Sequence, residues 1–210
     1  MPGATMDCPS QQDIRMRSAL PMAMLATLAL SACATAPSQS PAKPRPAHDS
    51  AVLTAPAAST IPAAVAHVAG ASGSLVSGSL SLVALHGGVR IAGELGGLSP
   101  GSHGFHIHEA GDCSAADAAS AGGHFNPTGS AHGRAGTAAH HAGDIDNIVA
   151  DASGVAHVDV QLRGVSLGGN AGTDIVGRAL VVHAAPDDYQ SQPAGNSGTR
   201  IGCGVIVVRP

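Results

Sequence analysis

Short runs of alternating apolar and polar residues, separated by glycines, constrain the fold of this chain most strongly. Residues 79–82, 89–92 and 157–162 alternate in this way. A period of two is the pattern of a strand that buries one of its faces. The two glycines within residues 85–89 predict a hairpin turn between the first two runs, because glycine readily takes the positive φ of such turns. A last strand is predicted at about residues 203–208.

The wider composition also favours an all-β domain. The chain has 28 glycines and 14 prolines among 210 residues, and helical periodicity is weak after residue 60. Roughly eight short strands in about 150 residues predict an antiparallel sandwich or flattened barrel. No strand pattern appears between residues 109 and 144, and a loop of that length in a compact domain is usually functional.

The first 60 residues have a different character. Arg15 and Arg17 precede an apolar stretch, residues 20–30, that is too short to span a bilayer. The stretch leads into Leu-Ser-Ala-Cys, ending at Cys33, which resembles the lipobox of bacterial lipoproteins; an ordinary secretory signal is the alternative. We therefore predict a signal region at 1–33 cleaved before Cys33, an Ala/Pro/Ser-rich linker at 34–60 and a folded domain at 61–210. Met6 and Met16 are alternative starts to Met1.

Charge and cysteine content narrow the possible partners and the compartment. The formal net charge is −4 and no basic patch is present, which argues against a nucleic-acid partner. Only Cys113 and Cys203 fall within the predicted domain. An exported domain with two cysteines is expected to pair them, and two buried free thiols are the alternative.

Residues 104–187 carry nearly all of the candidate chemistry. His106 and His108 are two residues apart, so both imidazoles can lie on one face of a strand and reach one metal ion. The other candidate ligands are His124, His132, His141, Asp144 and His183. His140 competes with its neighbour His141, and the spacing His-x-Gly-Asp favours His141. Seven nitrogen and oxygen ligands are enough for two borderline metals such as copper and zinc.

The segments Gly-Phe-His-Ile-His-Glu (104–109), Gly-Gly-His-Phe-Asn-Pro (122–127) and His-Ala-Gly-Asp (141–144) resemble the ligand signature of the Cu,Zn superoxide dismutases. The resemblance spans about residues 77–208 and implies a Greek-key fold of eight strands with two long functional loops. It also implies one copper and one zinc per chain. Copper would be held by His106, His108, His124 and His183; zinc would be held by His124, His132, His141 and Asp144, with His124 as the bridge.

The same resemblance gives roles to residues outside the ligand set. Asp187 would link His106 to His132; a turn-forming aspartate is the alternative. Arg200 would be the channel arginine that attracts and orients the anionic substrate, and residues 187–200 resemble the loop that covers the copper channel. A disulfide between Cys113 and Cys203 would tie the first metal loop to the last strand. The isolated His67, His86, His103 and His157 are expected on the surface.

The sequence thus predicts an oxidoreductase that dismutates superoxide to O₂ and H₂O₂. The resemblance implies a copper that cycles between Cu(II) and Cu(I) and a zinc that is structural. With its signal region, the protein is expected to be lipid-anchored in the periplasm or cell envelope, as a monomer or a homodimer, and to protect that envelope from superoxide. The competing hypothesis is a non-catalytic periplasmic copper- or zinc-binding protein on the same fold, which would need neither the bridging His124 nor Arg200.

Overall fold

A computed structural model describes residues 58–209; Cys33, the predicted signal region and most of the predicted linker lie outside the described residues. The described residues form nine strands and one 3₁₀ turn, Ala119–Ala121. The strands are β1 (Ala63–Gly70), β2 (Ser77–Leu85), β3 (Gly88–Gly96), β4 (Gly101–His103), β5 (Phe105–His108), β6 (Ile148–Ala150), β7 (Ala156–Arg163), β8 (Ala179–His183) and β9 (Arg200–Val208).

All paired strands are antiparallel, and their order is β4-β6-β7-β3-β2-β1-β9-β8-β5. The two strands at the ends of this order, β4 and β5, are separated in the chain by Gly104 alone. The sheet therefore returns on itself and forms a nearly closed barrel. This confirms the predicted all-β antiparallel class.

The predicted number of eight strands is wrong, because residues 101–108 change partners at Gly104. β4 pairs with β6, whereas β5 pairs with β8. At the break, the N–H of Gly104 donates to Ala185 O at 2.9 Å and the N–H of His183 donates to Gly104 O at 2.8 Å. Residues 101–108 thus form two strands, one on each side of Gly104.

The barrel interior is filled by one face of each strand. Leu80 and Leu82 of β2 and Val89 and Ile91 of β3 are fully buried, whereas Ser79 and Val83 of β2 are exposed. Gly87 turns the hairpin with a φ of 76°. The alternating pattern therefore correctly predicted both strands and their connection.

All four residues of β5 are buried, as are all five of the neighbouring β8. Phe105 and Ile107 join the hydrophobic core, so His106 and His108 must project from the opposite face. That face is covered by two loops, residues 109–147 and 184–199. The histidines therefore lie between the sheet and the loops, shielded from water.

The first of these loops is fixed to the barrel by covalent and polar contacts. Cys113 is disulfide-bonded to Cys203 of β9, with Cα atoms 5.8 Å apart and a sequence separation of 90. Arg178 of the segment before β8 donates to Glu109 O at 2.7 Å, and its guanidinium lies 3.7 Å from the centroid of the Phe125 ring. No helix in the described part of the chain is long and apolar enough to cross a membrane.

Candidate metal centre

Two strands and one loop bring the first group of histidines together. His106 and His108 alternate along β5, and His183 ends the neighbouring β8. The pairing register between β8 and β9 shifts at Val182/His183, and such an irregularity re-aims the side chain that follows it. With His124 these residues form a buried group whose ligand atoms all lie within 4.8 Å of one another.

Each of three histidines in this group is held by the ring nitrogen that faces away from the centre. His106 Nε2 lies 2.8 Å from Asp187 Oδ2, His108 Nδ1 lies 2.9 Å from Gly122 O, and His183 Nδ1 lies 3.2 Å from Gly198 O. When the outward nitrogen of each ring donates its N–H to oxygen, the tautomer of the imidazole is fixed. The other ring nitrogen, which faces the centre of the group, then carries a free lone pair. The Nε2 atoms of His108 and His183 are 3.4 Å apart.

The second group consists of His124, His132, His141 and Asp144, also within 4.8 Å of one another and buried. Asp144 Oδ1 lies 2.8 Å from His124 Nδ1, 3.0 Å from His132 Nδ1 and 3.3 Å from His141 Nδ1. Its other oxygen accepts the backbone N–H groups of His141 at 2.7 Å and Gly133 at 3.1 Å. One oxygen is thus anchored while the other faces three imidazoles.

His124 belongs to both groups through opposite sides of its ring. Its Nδ1 faces Asp144, whereas its Nε2 is buried without a hydrogen-bond partner. His106 Nδ1 and His132 Nδ1 are likewise buried without a hydrogen bond, although His132 Nδ1 lies 3.0 Å from Asp144 Oδ1. Buried polar atoms are almost always satisfied, so three unsatisfied nitrogens directed into two compact groups fit metal coordination. The donor sets, four imidazoles and three imidazoles with one carboxylate, suit copper and zinc respectively.

Burial keeps three imidazoles of the first group uncharged at neutral pH. It lowers the pKa of His106 to about 4, of His108 to about 2 and of His183 to about 3. Burial alone would raise the pKa of Asp144, but hydrogen bonds from His124 and from the backbone outweigh it and lower that pKa to about 2. These groups are therefore already in the deprotonated state that metal binding requires.

Asp187 connects the two groups. Its Oδ2 lies 2.8 Å from His106 Nε2 and its Oδ1 lies 3.0 Å from His132 Nε2. Asn147 holds the aspartate by its backbone: the Asp187 N–H donates to Asn147 Oδ1 at 2.8 Å, and Asn147 Nδ2 donates to Asp187 O at 2.9 Å. A neighbouring N–H, that of Tyr189, donates to Asp187 Oδ1 at 2.7 Å. The carboxylate is therefore pinned between a candidate copper ligand and a candidate zinc ligand.

Arg200 lies at the mouth of the first group. Its Nη1 and Nη2 donate to Ala118 O at 2.7 Å and to Gly122 O at 2.6 Å, and Gly122 O is also the acceptor for His108. A cavity of about 310 Å³ is bordered by Arg200, His183 and residues of the loop that follows Asp187. Because a guanidinium stays charged at any relevant pH, this cavity has a fixed positive group beside two candidate copper ligands.

The structure also separates residues that the sequence left ambiguous. The Nδ1 of His140 lies 2.7 Å from His141 O, and this histidine is in neither group. His67, His86 and His157 are exposed, as expected. The expected surface position of His103 is wrong. Its ring is 1% exposed, and its two nitrogens each lie 2.8 Å from a carbonyl oxygen, of His183 and of Ser99.

Asn147 and His103 are two positioning residues that sequence reasoning missed. Both act on the backbone of residues far away in sequence, so spacing carries no signal for their partners. The one local feature that sets Asn147 apart in the sequence is that it lies three residues after the candidate zinc ligand Asp144. Asp187, in contrast, was found through the resemblance.

Residues 76–206 match the family model described as copper/zinc superoxide dismutase. Superoxide dismutase [Cu-Zn] 3 of Arabidopsis thaliana is 43% identical over 150 residues, covering 68% of this chain and 88% of the relative. Superoxide dismutase [Cu-Zn] 2 of Aquifex aeolicus is 44% identical over 135 residues, covering 62% and 79%. The extracellular superoxide dismutase [Cu-Zn] of Brugia pahangi is 43% identical over 127 residues, covering 56% and 62%. Among solved structures, the clock protein EA4 superposes with a TM-score of 0.64 at 34% identity, covering 72% of this chain and 98% of that chain.

Proposed function

This chain belongs to the copper/zinc superoxide dismutase family and dismutates superoxide with one copper and one zinc, and we propose how its own residues divide that work. His106, His108, His124 and His183 hold copper. His124, His132, His141 and Asp144 hold zinc, with His124 shared. The observation that carries this assignment is the three buried, unpartnered nitrogens of His106, His124 and His132, each of which faces one of the two groups.

Copper bound in the first group supplies one-electron redox chemistry that zinc, which has no accessible second oxidation state, cannot supply. The protein contributes geometry and charge. His124 presents Nε2 to the first group and Nδ1 to the second, Asp187 sets the orientation of His106 and His132, and Asn147 holds Asp187. A non-catalytic metal store would not need a cation at the cavity beside His183, which supports the enzyme over the binding protein.

Arg200 attracts the anionic substrate and orients it. From residue 61 onward the chain carries six arginines, no lysine and eleven acidic residues, a net charge of −5 before metals are bound. That field repels superoxide at long range, so attraction must act within about 8–10 Å, the screening length at physiological salt. The guanidinium is held in place by Ala118 O and Gly122 O and borders the cavity, which is where short-range attraction is needed.

The enzyme acts outside the cytoplasm, in the periplasm or cell envelope, and is anchored there by a lipid on Cys33. The basic and apolar N-terminal pattern and the Ala/Pro/Ser-rich linker support export and a tether. The disulfide between Cys113 and Cys203 suits an oxidising compartment. One relative is named an extracellular enzyme, which is consistent with export.

Three histidine variants test the division of the ligands. His106→Ala should lose copper and superoxide-dismutating activity but keep zinc, whereas His141→Ala should lose zinc first. His140→Ala is the matched control, because the neighbouring imidazole is outside both groups and both metals should stay. Metal content per chain and activity per copper are measured on the same samples. Copper retention in His106→Ala, or equal metal content in all three variants, would refute the assignment.

A further inference from the structure

Gln192 makes a two-point contact with the backbone of a proposed zinc ligand. The N–H of His132 donates to Gln192 Oε1 at 2.8 Å, and Gln192 Nε2 donates to His132 O at 2.9 Å. The two residues are 60 positions apart. His132 itself is 4% exposed, so its N–H would have little access to water if the glutamine were removed.

The carboxamide of glutamine is suited to this position. It offers one acceptor and one donor side by side, which matches the donor and acceptor of a single backbone residue. Glutamate could accept from the N–H but would set a second oxygen against the carbonyl of His132. Alanine could satisfy neither group. The contact therefore depends on the amide and not on the length of the side chain alone.

The same glutamine belongs to the loop that borders the substrate cavity. Gln192 lines the cavity of about 310 Å³ together with His183 and Arg200. Its hydrogen bonds to the backbone of His132 connect this side of the cavity to the proposed zinc group without involving the imidazole ring. Asp187, at the start of the same loop, makes a second connection through the His132 side chain. The backbone and the imidazole of His132 are thus held by two residues of one loop.

We infer that Gln192 is a positioning residue that couples zinc binding at His132 to the shape of the cavity beside Arg200. This inference rests on the proposed assignment of His132 to zinc. Because coupling between two sites is reciprocal, zinc should set the position of the cavity wall, and the wall should slow the loss of zinc. Gln192 belongs to neither metal-binding group and acts through the backbone of His132; its Nε2 also donates to Gln190 O at 3.3 Å, a backbone contact that the Gln190 variants keep.

Variants of Gln192 and of its near neighbour Gln190 test the coupling. Gln190 is exposed on the same loop, and its side chain has no hydrogen-bond partner among the described residues. Gln192→Ala and Gln192→Glu should release zinc to a chelator about ten-fold faster than wild type, the size of effect that loss of a partner of a metal ligand usually has. Gln190→Ala and Gln190→Glu, which make the same changes without the contact, should stay within about two-fold of wild type.

Two further readouts separate positioning from a general loss of stability. In the metal-free protein, hydrogen exchange of the His132 amide should accelerate about ten-fold in Gln192→Ala, while the amides of β2 and β3 keep their protection. Azide affinity at the copper site, measured with and without zinc, should change less on zinc removal in Gln192→Ala than in wild type.

The outcomes distinguish the inference from its premise. If zinc release and His132 exchange in the Gln192 variants equal those of the Gln190 variants, the positioning role is wrong. If wild type holds zinc no better than His141→Ala, the zinc assignment itself fails, whatever the exchange rates show. An undiminished effect of zinc on azide binding in Gln192→Ala would overturn the coupling.

Discussion

Replacing Gly195 with alanine should weaken zinc binding by displacing Asp187 from between His106 and His132. Gly195 has a φ of +63°, and a Cβ built on it would lie 1.7 Å from Asp187 Oδ1 and 2.8 Å from His132 Nε2. Gly198, three residues later, has a similar φ of +77°, but a Cβ there would come no closer than 3.5 Å to another side chain. The two alanine variants therefore share the backbone cost, and only Gly195→Ala collides with Asp187 and His132; because Gly198 O accepts from His183, the comparison concerns zinc and not copper.

The expected sizes follow from these distances. An L-residue in the left-handed region costs roughly 1–2 kcal/mol, which applies to both variants. To restore a 3.0 Å separation, Asp187 Oδ1 must move by about 1.3 Å, which stretches its 3.0 Å hydrogen bond with His132 beyond the useful limit of about 3.6 Å. Losing such a contact to a metal ligand typically lowers metal affinity about 10- to 100-fold. Gly198→Ala should lower the free energy of unfolding and leave zinc affinity unchanged.

Two measurements compare the variants. Zinc affinity is determined by competition with a chelator, and the free energy of unfolding of the metal-free protein is determined by denaturant titration. Gly195→Ala should lose both zinc affinity and stability, and Gly198→Ala should lose only about 1–2 kcal/mol of stability. Equal zinc affinities in the two variants would show that Asp187 does not orient the zinc ligand.

Three other substitutions test separate parts of the proposal. Arg200→Ala should lower kcat/KM about ten-fold, leave the copper content unchanged and weaken the dependence on salt, because a screened attraction is removed; an unchanged salt dependence would place steering elsewhere. Cys203→Ser should lower the free energy of unfolding by about 4 kcal/mol, the value for a 90-residue loop in the chain-entropy model, and a loss below about 1 kcal/mol in denaturant titrations would contradict this. Cys33→Ser should move the protein from the membrane fraction to the soluble fraction or block its processing, and unchanged partitioning would rule out a lipid anchor.

Local periodicity predicted the parts of the barrel that depend on neighbouring residues. β2, β3 and their hairpin follow from alternation and from two glycines, because one face of each strand is buried and the turn needs positive φ. The division into β4 and β5 at Gly104 could not be predicted from local alternation or from glycine positions. Whether a run of eight residues is one strand or two depends on which distant strands bond to each half, here β6 and β8.

The candidate site shows the same limit. The spacing of His106 and His108 predicted that their rings share a face, and the order of the remaining ligands was identified through the resemblance. His103, Asn147 and Gln192 were not predicted in their roles. Each bonds to a backbone group between 40 and 80 residues away, and backbone groups carry no sequence identity by which a partner could be recognised.

The break at Gly104 also bears on how these molecules avoid associating with one another. An open sheet would leave β4 and β5 as bare edges whose N–H and C=O groups can template pairing with a second chain. Because both edges belong to one piece of chain, the barrel has its seam there, joined through Gly104, His183 and Ala185. His183 is also a proposed copper ligand, so the seam and the metal site share a residue. We therefore expect loss of metal to weaken this seam and to expose the edges of β4 and β5.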